Sequence, residues 1–488
     1  MAADKVVLPP VPAETVRKKN RINQTHPISK FFLTHKWFMP LVSIFIIAGG
    51  TILAIQLGKG YRPSTKGLSG TGLLAANSFP SGAEVYLNDK LTSATDDTLS
   101  LPPNNYKVTL KKDGYLPWEK NLTLKAELVT QTNATLFRAV SSLTPLTLNG
   151  ATNIAPSPDG QKLVYVVATA SATAKNGLYV ADLSPSALSL QRSPRQIAKS
   201  PTHFDLTQAD LLWSPNSSQI ILHAETKTNQ YNYLLEADRL TDLDAAPDVT
   251  ARLSIILSQW EEDIVLRETK QFALLPPEMQ QIATTSATNL YFSPKEDRLM
   301  YTATASANIP EDLLLKPPSP NTQPEVRNIQ PNHLYVYDLT EDKNYDLGVL
   351  NTLNPKIKKD LLLSTDYQST ITTEATISGT TPTIPVTAYI KLQDQTNFKG
   401  TLINFRTHYS SIYVDGFQWY PNSTHILITQ PDRVEIVEYD STNRSTLYSG
   451  PFINNFVYPW PDGSKLIIMT NLNPATSASV NLYTVDIR

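Results

Sequence analysis

Pro156-Ser157-Pro158-Asp159-Gly160-Gln161-Lys162-Leu163-Val164-Tyr165 decides the fold, because the chain writes it again four times. The later copies are Trp213-Ser214-Pro215-Asn216-Ser217-Ser218-Gln219-Ile220-Ile221-Leu222 and Phe292-Ser293-Pro294-Lys295-Glu296-Asp297-Arg298-Leu299-Met300-Tyr301. Trp419-Tyr420-Pro421-Asn422-Ser423-Thr424-His425-Ile426-Leu427-Ile428 and Pro459-Trp460-Pro461-Asp462-Gly463-Ser464-Lys465-Leu466-Ile467-Ile468 complete the series. Proline sets φ for a turn, and Asn, Asp or Gly supplies the left-handed position. A polar pair follows, then an apolar run of strand length. Five copies of one unit predict a repeat architecture.

A second strand follows most copies: Leu178–Leu183, Leu334–Leu339, Val434–Asp440 and Asn481–Asp486. A repeated strand pair of this kind is the heart of a propeller blade. The units resemble TolB-type and related WD-like propeller repeats, whose turn carries Ser-Pro-Asp-Gly before an apolar strand. Leu143-Thr144-Pro145-Leu146-Thr147 resembles the outer strand of such a blade, yet it precedes the first repeat. The expectation is strand exchange, with this segment pairing with the strand around Leu482 to Ile487 and removing an exposed edge.

The spacing of the copies is uneven. Between the second and third, Leu253, Ile256, Leu257, Trp260 and Ile264 recur at helical intervals, and Pro277 opens a second helical stretch running to Ala283. A helical hairpin inserted in a blade, near 250–284, is expected. The still longer gap before the fourth copy predicts a diverged blade within Lys358–Leu402, with Thr-rich strands at Gln368–Ile377 and Val386–Leu392. Six or seven blades are expected over 139–488.

Ahead of the repeats, Glu84–Asn88, Asn105–Lys111, Asn121–Leu124 and Val129–Phe137 alternate polar and apolar residues between turns. That is the pattern of an antiparallel sheet covered on one face. Phe79-Pro80-Ser81-Gly82-Ala83, Val85-Tyr86-Leu87-Asn88, Leu101–Val108 and Lys112-Asp113-Gly114-Tyr115 together resemble a PEGA domain, with Ser81 in the place of the signature's glutamate. The resemblance implies a small extracytoplasmic sandwich-like module at 72–138, with no catalytic residues.

Trp37 to Gly58 carries no charged side chain and is bracketed by Lys36 and Lys59. A helix of that length matches a hydrocarbon core of about 30 Å. Residues 1–36 hold seven basic side chains against two acidic ones. Only Lys59, Arg62 and Lys66 follow closely. The asymmetry places the N-terminus in the cytoplasm and the bulk outside. A cleaved signal peptide ending near Ala48-Gly49-Gly50 is the rival reading, and a buried core helix a weaker one. Residues 59–71, rich in Gly and Ser, are expected to be a flexible linker. The net charge of −2 conceals a basic tail and an acidic remainder that repels phosphate, so nucleic acid is not expected as a partner.

Cysteine is absent, which excludes disulfides and thiolate metal sites. No nucleophile elbow, His-Glu-x-x-His or phosphate loop occurs. His26, His35, His203, His223, His333, His408 and His425 show no metal-binding spacing, and a core or strand-edge role is the default for His223 and His425. Asp238, Asp242, Asp244 and Asp248 read as a solvated acidic loop, and Glu261-Glu262-Asp263 as a solvated helix face. Trp213 and Trp419 recur with the repeat and are assigned to packing between blades, and Trp118 to the core of the small domain. Trp260 belongs to the insertion and is the candidate ligand-binding residue. No catalytic, metal or cofactor-binding residue is assigned.

The fold class is thus mainly β: an N-terminal transmembrane helix, a small antiparallel sandwich-like domain, and a six- or seven-bladed β-propeller with a helical insertion. The functional expectation is a membrane-anchored envelope protein, not an enzyme, whose propeller engages a protein, peptide or cell-wall polymer. The alternatives are a propeller-based hydrolase or lyase, and a transmembrane signal transducer.

Overall fold

The computed structural model describes residues 38–58, 61–64, 67–184, 193–353, 416–453, 456–472 and 479–488. Two compact units are present, Met1–Thr71 and Gly72–Arg488.

In the first unit, helix α1 spans Phe38–Gly58. Its stretch Pro40–Gly58 is long and apolar enough to cross a membrane. None of its described side chains is buried, unlike those of a core helix. The stretch expected to be an unstructured linker pairs into a short antiparallel hairpin, Arg62 facing Ser69 and Ser64 facing Gly67. Main-chain pairing needs no apolar face, which is why the composition of this stretch did not announce it.

The second unit begins with the small domain. Lys90–Ala94, Glu84–Leu87, Asn104–Lys111 and Trp118–Leu124 form one antiparallel sheet in that order. A second sheet joins Val129–Gln131, Gly72–Ala76 and Asp97–Leu101. The alternation along the strands sends Leu74, Val85, Val108, Leu110, Leu122 and Leu124 into one shared core.

Among the described residues, five antiparallel sheets follow as propeller blades. Blade 1 comprises Thr152–Pro156, Lys162–Val167, Gly177–Asp182 and Arg195–Lys199, from inner to outer strand. Blade 2 has three strands, Asp210–Trp213, Gln219–Glu225 and Gln230–Glu236. Blade 3 is Ala287–Phe292, Arg298–Ala303, His333–Asp338 and Lys343–Val349. Blade 4 is Phe417–Trp419, His425–Thr429, Arg433–Glu438 and Ser445–Ser449. Blade 5 holds Val457–Pro459, Lys465–Thr470 and Asn481–Asp486, and takes Leu143–Pro145 as its outer strand. Leu143 faces Val485 and Pro145 faces Tyr483, so the expected strand exchange is present. The diverged blade expected within Lys358–Leu402 lies outside the described residues.

The blades stack through their apolar faces. Blade 5 packs on blade 1 through Ile467, Met469, Leu163 and Tyr165. Blade 1 meets blade 2 through Val164, Val180, Leu211 and Ile220. Blade 4 meets blade 5 through Leu427, Ile436, Leu466 and Ile468. Blades 3 and 4, which flank residues 354–415, pack directly on each other through Met300, Val336, Trp419 and Ile426.

The repeat's tryptophan makes the same bond at two of these joints. Trp213 Nε1 donates to Ala155 O at 3.0 Å, from blade 2 to blade 1. Trp419 Nε1 donates to Tyr291 O at 2.9 Å, from blade 4 to blade 3. Both acceptors follow an asparagine in the left-handed region, Asn153 at φ 48° and Asn289 at φ 52°. Each marks a bulge in an inner strand. Packing between blades is therefore the observed role of Trp213 and Trp419.

Blades 2 and 3 are joined differently. Helix α2, Leu253–Phe272, lays Leu253, Ile256, Leu257, Trp260 and Ile264 on Leu212 and Ile221 of blade 2. Helix α3, Pro277–Thr285, lays Met279, Ile282 and Ala283 on Leu299, Tyr301, Tyr335 and Tyr337 of blade 3. The hairpin thus covers the two faces that no other described blade covers, in place of sitting within one blade.

Candidate functional site

Within each blade the inner-to-second and third-to-outer turns fall at one end, because consecutive strands are antiparallel. The small domain is docked at this turn end, on blade 4. Trp118 to Leu124 alternate across the pleat, so Trp118 and Lys120 share the face of Leu122 and Leu124. Trp118 packs in the domain core and is 2 % exposed, while its Nε1 donates to Glu438 Oε1 of blade 4. Lys120 Nζ lies 2.5 Å from Glu438 Oε2 and 2.6 Å from Asp440 Oδ2. Glu119 N donates to Asn443 Oδ1 at 2.8 Å, and Asn443 Nδ2 donates back to Glu438 Oε1 at 2.9 Å.

Two further contacts widen the joint. Phe137 leaves the small domain and enters the core between blades 4 and 5, beside Tyr420, Val485 and Ile487. Its ring stands edge-on to His425, centroids 5.3 Å apart. Arg138 N donates to Ile487 O at 2.9 Å. The long second-to-third connection of blade 3, residues 304–332, returns to the turn end as a strap. Arg327 pairs with Glu325 at 2.9 Å and with Asp342 at 3.4 Å to hold it there. From the strap, Gln323 Nε2 donates to Asn121 O at 2.8 Å and Asn321 Nδ2 to Asp440 Oδ2 at 2.6 Å.

The electrostatics follow from burial. Burial opposes the Lys120 charge, but the Glu438 and Asp440 carboxylates outweigh it and hold the ammonium above its usual range. Burial pushes Glu438 up despite Lys120. Burial also works to raise Asp440, but Lys120 wins and the carboxyl sits below its ordinary value. His425 is pushed down to about 3, first by burial and then by Lys120, and is neutral. A buried, fully partnered ion cluster of this kind fixes register between two domains and offers no open coordination or reactive position.

The other singled-out residues fall elsewhere. Trp260, the aromatic expected to meet a ligand, is 6 % exposed and packed against blade 2. Its helical periodicity placed it on the apolar stripe, and the stripe faces the sheet, so its ring is occupied by packing. His223 is buried with Nδ1 2.8 Å from Asn232 Oδ1. His203 bridges Asp244 at 3.0 Å and the Tyr233 hydroxyl at 3.1 Å. Asp248 accepts from Asn232 N at 3.0 Å and from Thr250 N at 2.7 Å. These aspartates tie separate segments together, Asp244 to His203 and Asp248 to Asn232 and Thr250. Among the described residues no group of three or more His, Asp or Glu is placed to hold a metal.

The joint was missed in the sequence. Its signal was a lysine on the apolar face of an alternating strand, Trp118-x-Lys120-x-Leu122-x-Leu124, and a charge there requires a buried partner.

The PEGA domain family model matches residues 71–139. The small domain at the joint is therefore the PEGA domain, and the repeats that follow it form a β-propeller. Among solved structures, the chain is similar to the putative TolB from Agrobacterium tumefaciens, at 11% identity over 69% of this chain and 78% of that one, TM-score 0.18. It is similar to TolB from Acinetobacter baumannii, at 10% identity over 83% and 65%, TM-score 0.18. It is also similar to oligogalacturonate lyase from Vibrio parahaemolyticus, at 8% identity over 86% and 98%, TM-score 0.22. The blade assignment rests on the strand pairing above and not on these likenesses. No curated protein matches the chain.

Proposed function

We propose that this chain is a membrane-anchored extracytoplasmic binding or scaffolding protein of the cell envelope, without catalytic turnover. In this reading α1 is the anchor, the basic N-terminal segment stays in the cytoplasm, and the propeller engages a protein, peptide or cell-wall polymer. The observation that carries the reading is the docking of the PEGA domain on the turn end of blade 4. It commits the blade 4 side of that end to an internal contact, and in this reading the opposite end, with the second-to-third turns of blades 2 and 4, is the one offered to a partner. Loops on a rigid scaffold are the usual place for recognition.

The test is photo-crosslinking on intact cells, with the crosslinker placed in turn at exposed sites of both ends. Lys227 and Asp432 lie at the free end, and Asn216 lies at the turn end. The expected result is a discrete envelope adduct from Lys227 or Asp432 and none from Asn216. Adducts confined to Asn216, or adducts to cytoplasmic proteins, would overturn the reading.

A further inference from the structure

One column of the repeat differs in blade 4. In each of the five described blades the first residue of the second strand faces, in register, an acid near the end of the third strand. The pairs are Lys162 with Asp182, Gln219 with Glu236, Arg298 with Asp338, His425 with Glu438, and Lys465 with Asp486. The acid is constant. The residue facing it is a cation in blades 1, 3 and 5: Arg298 pairs with Asp338 at 2.8 Å and Lys465 with Asp486 at 3.2 Å, while Lys162 Nζ donates to Ser217 O of blade 2 at 2.8 Å. In blade 2 the partner is an amide, Gln219, which donates to Glu236 at 2.8 Å.

Of the five described blades, only blade 4 carries a histidine at this position. His425 Nδ1 is engaged by Asn422 Nδ2 at 2.9 Å and the Thr424 hydroxyl at 3.0 Å, and its Nε2 stands 3.9 Å from Glu438. The cation on Glu438 comes from outside the blade. It is Lys120 of the PEGA domain, whose side chain is 8 % exposed and which also meets Asp440, a fully buried carboxylate.

We propose that Lys120 supplies from the PEGA domain the cation that blade 4 lacks, so that the propeller is complete only with its PEGA domain docked. The surface formed by His425, Glu438, Asp440 and Asn443 is thus a socket for one partner, a strand edge carrying a tryptophan and a lysine two residues apart. The occupant is Trp118-Glu119-Lys120 of this same chain. A blade that kept its own cation would leave the PEGA domain a tethered neighbour. A blade without one makes docking a condition of stability, because two adjacent buried carboxylates without a cation are strongly unfavourable. This folding dependence concerns the internal joint and stands or falls separately from the binding role of the free end.

The test is a compensation experiment on the full chain in detergent, read as the midpoint of thermal unfolding. Lys120→Met keeps the buried stem and removes the charge. It is expected to lower the midpoint by about 5 °C or more. Adding His425→Lys restores a cation within the blade and is expected to recover at least half of that shift. Adding His425→Met in its place is expected to recover none. If Lys120→Met yields no folded protein, the return of a cooperative transition with His425→Lys is the supporting result. An unchanged midpoint for Lys120→Met, no recovery with His425→Lys, or equal recovery with His425→Met would each overturn the proposal.

Discussion

Arg298→Met is expected to destabilise the propeller by about 3–5 kcal/mol, because it strips the cation from a buried carboxylate and leaves the carboxylate in place. The Arg298 side chain is 10 % exposed, and its Nε lies 2.8 Å from Asp338 Oδ2, a side chain with no exposure. Nη1 lies 2.9 Å from Asp297 Oδ2 and donates to Ser423 O of blade 4 at 3.2 Å. The guanidinium also lies 4.1 Å from the centre of the Tyr439 ring. One side chain therefore closes its own blade and clamps it to the next. Burial and the Asp338 charge already push Glu341 up, so losing Arg298 adds to an existing excess of buried negative charge. Arg298→Lys is expected to recover only part of the loss, since an ammonium cannot meet two carboxylates and a carbonyl in one plane. Denaturant titration measures both variants, and a cost below about 1 kcal/mol for Arg298→Met would place this pair among weak surface ion pairs.

The second large effect is expected at Trp419. Trp419→Ala removes a ring that is 7 % exposed and that fills the space between blades 3 and 4 beside Met300, Leu334, Val336 and Ile426. Loss of a buried aromatic of this size costs about 3–5 kcal/mol through lost burial and the cavity left behind. The indole donor to Tyr291 O is lost as well. Trp419→Phe separates the two contributions. It retains most of the apolar contact and forfeits the hydrogen bond, so about 1–2 kcal/mol is expected. The blade 1 to blade 2 joint offers a control, since Trp213 donates to Ala155 O in the same way. If the repeat reading is right, Trp213→Ala and Trp419→Ala produce losses of similar size in equilibrium unfolding. A neutral Trp419→Ala would mean that blades 3 and 4 are not held by this contact.

Much of the fold was legible in the residues because its signals are local. The Pro-Asp-Gly turns and apolar runs mark the second strands, and the alternation at Glu84–Leu87 and Asn104–Lys111 marks the small domain's sheet. The strand exchange was legible because Leu143-Thr144-Pro145 has strand character and no partner nearby in sequence. The positions of α2 and α3 were legible from the spacing of Leu253, Ile256, Leu257 and Ile264 and from Pro277.

What the residues did not yield is long-range partnership. Trp260 has the same periodicity whether its helix offers the ring to a ligand or to a sheet, and only the placement of the hairpin against Leu212 and Ile221 decides it. That the hairpin lies between blades, and not within one, is a matter of which sheet faces lack another cover. The joint was written in the repeat itself, in the column Lys162, Gln219, Arg298, His425, Lys465. The exception at His425 acquires meaning only when Lys120, some 300 residues earlier in the chain, is seen to occupy the gap.

Docked through Lys120, Trp118 and Phe137, the PEGA domain and the propeller are expected to move as one rigid body. The chain has no cysteine, so paired spin labels can be introduced cleanly at exposed Lys90 in the PEGA domain and exposed Gln259 on α2. Pulsed dipolar spectroscopy on the full chain is predicted to give one narrow distance distribution, unchanged by salt, because the ion cluster that fixes the joint is buried. A broad or multimodal distribution would contradict the account.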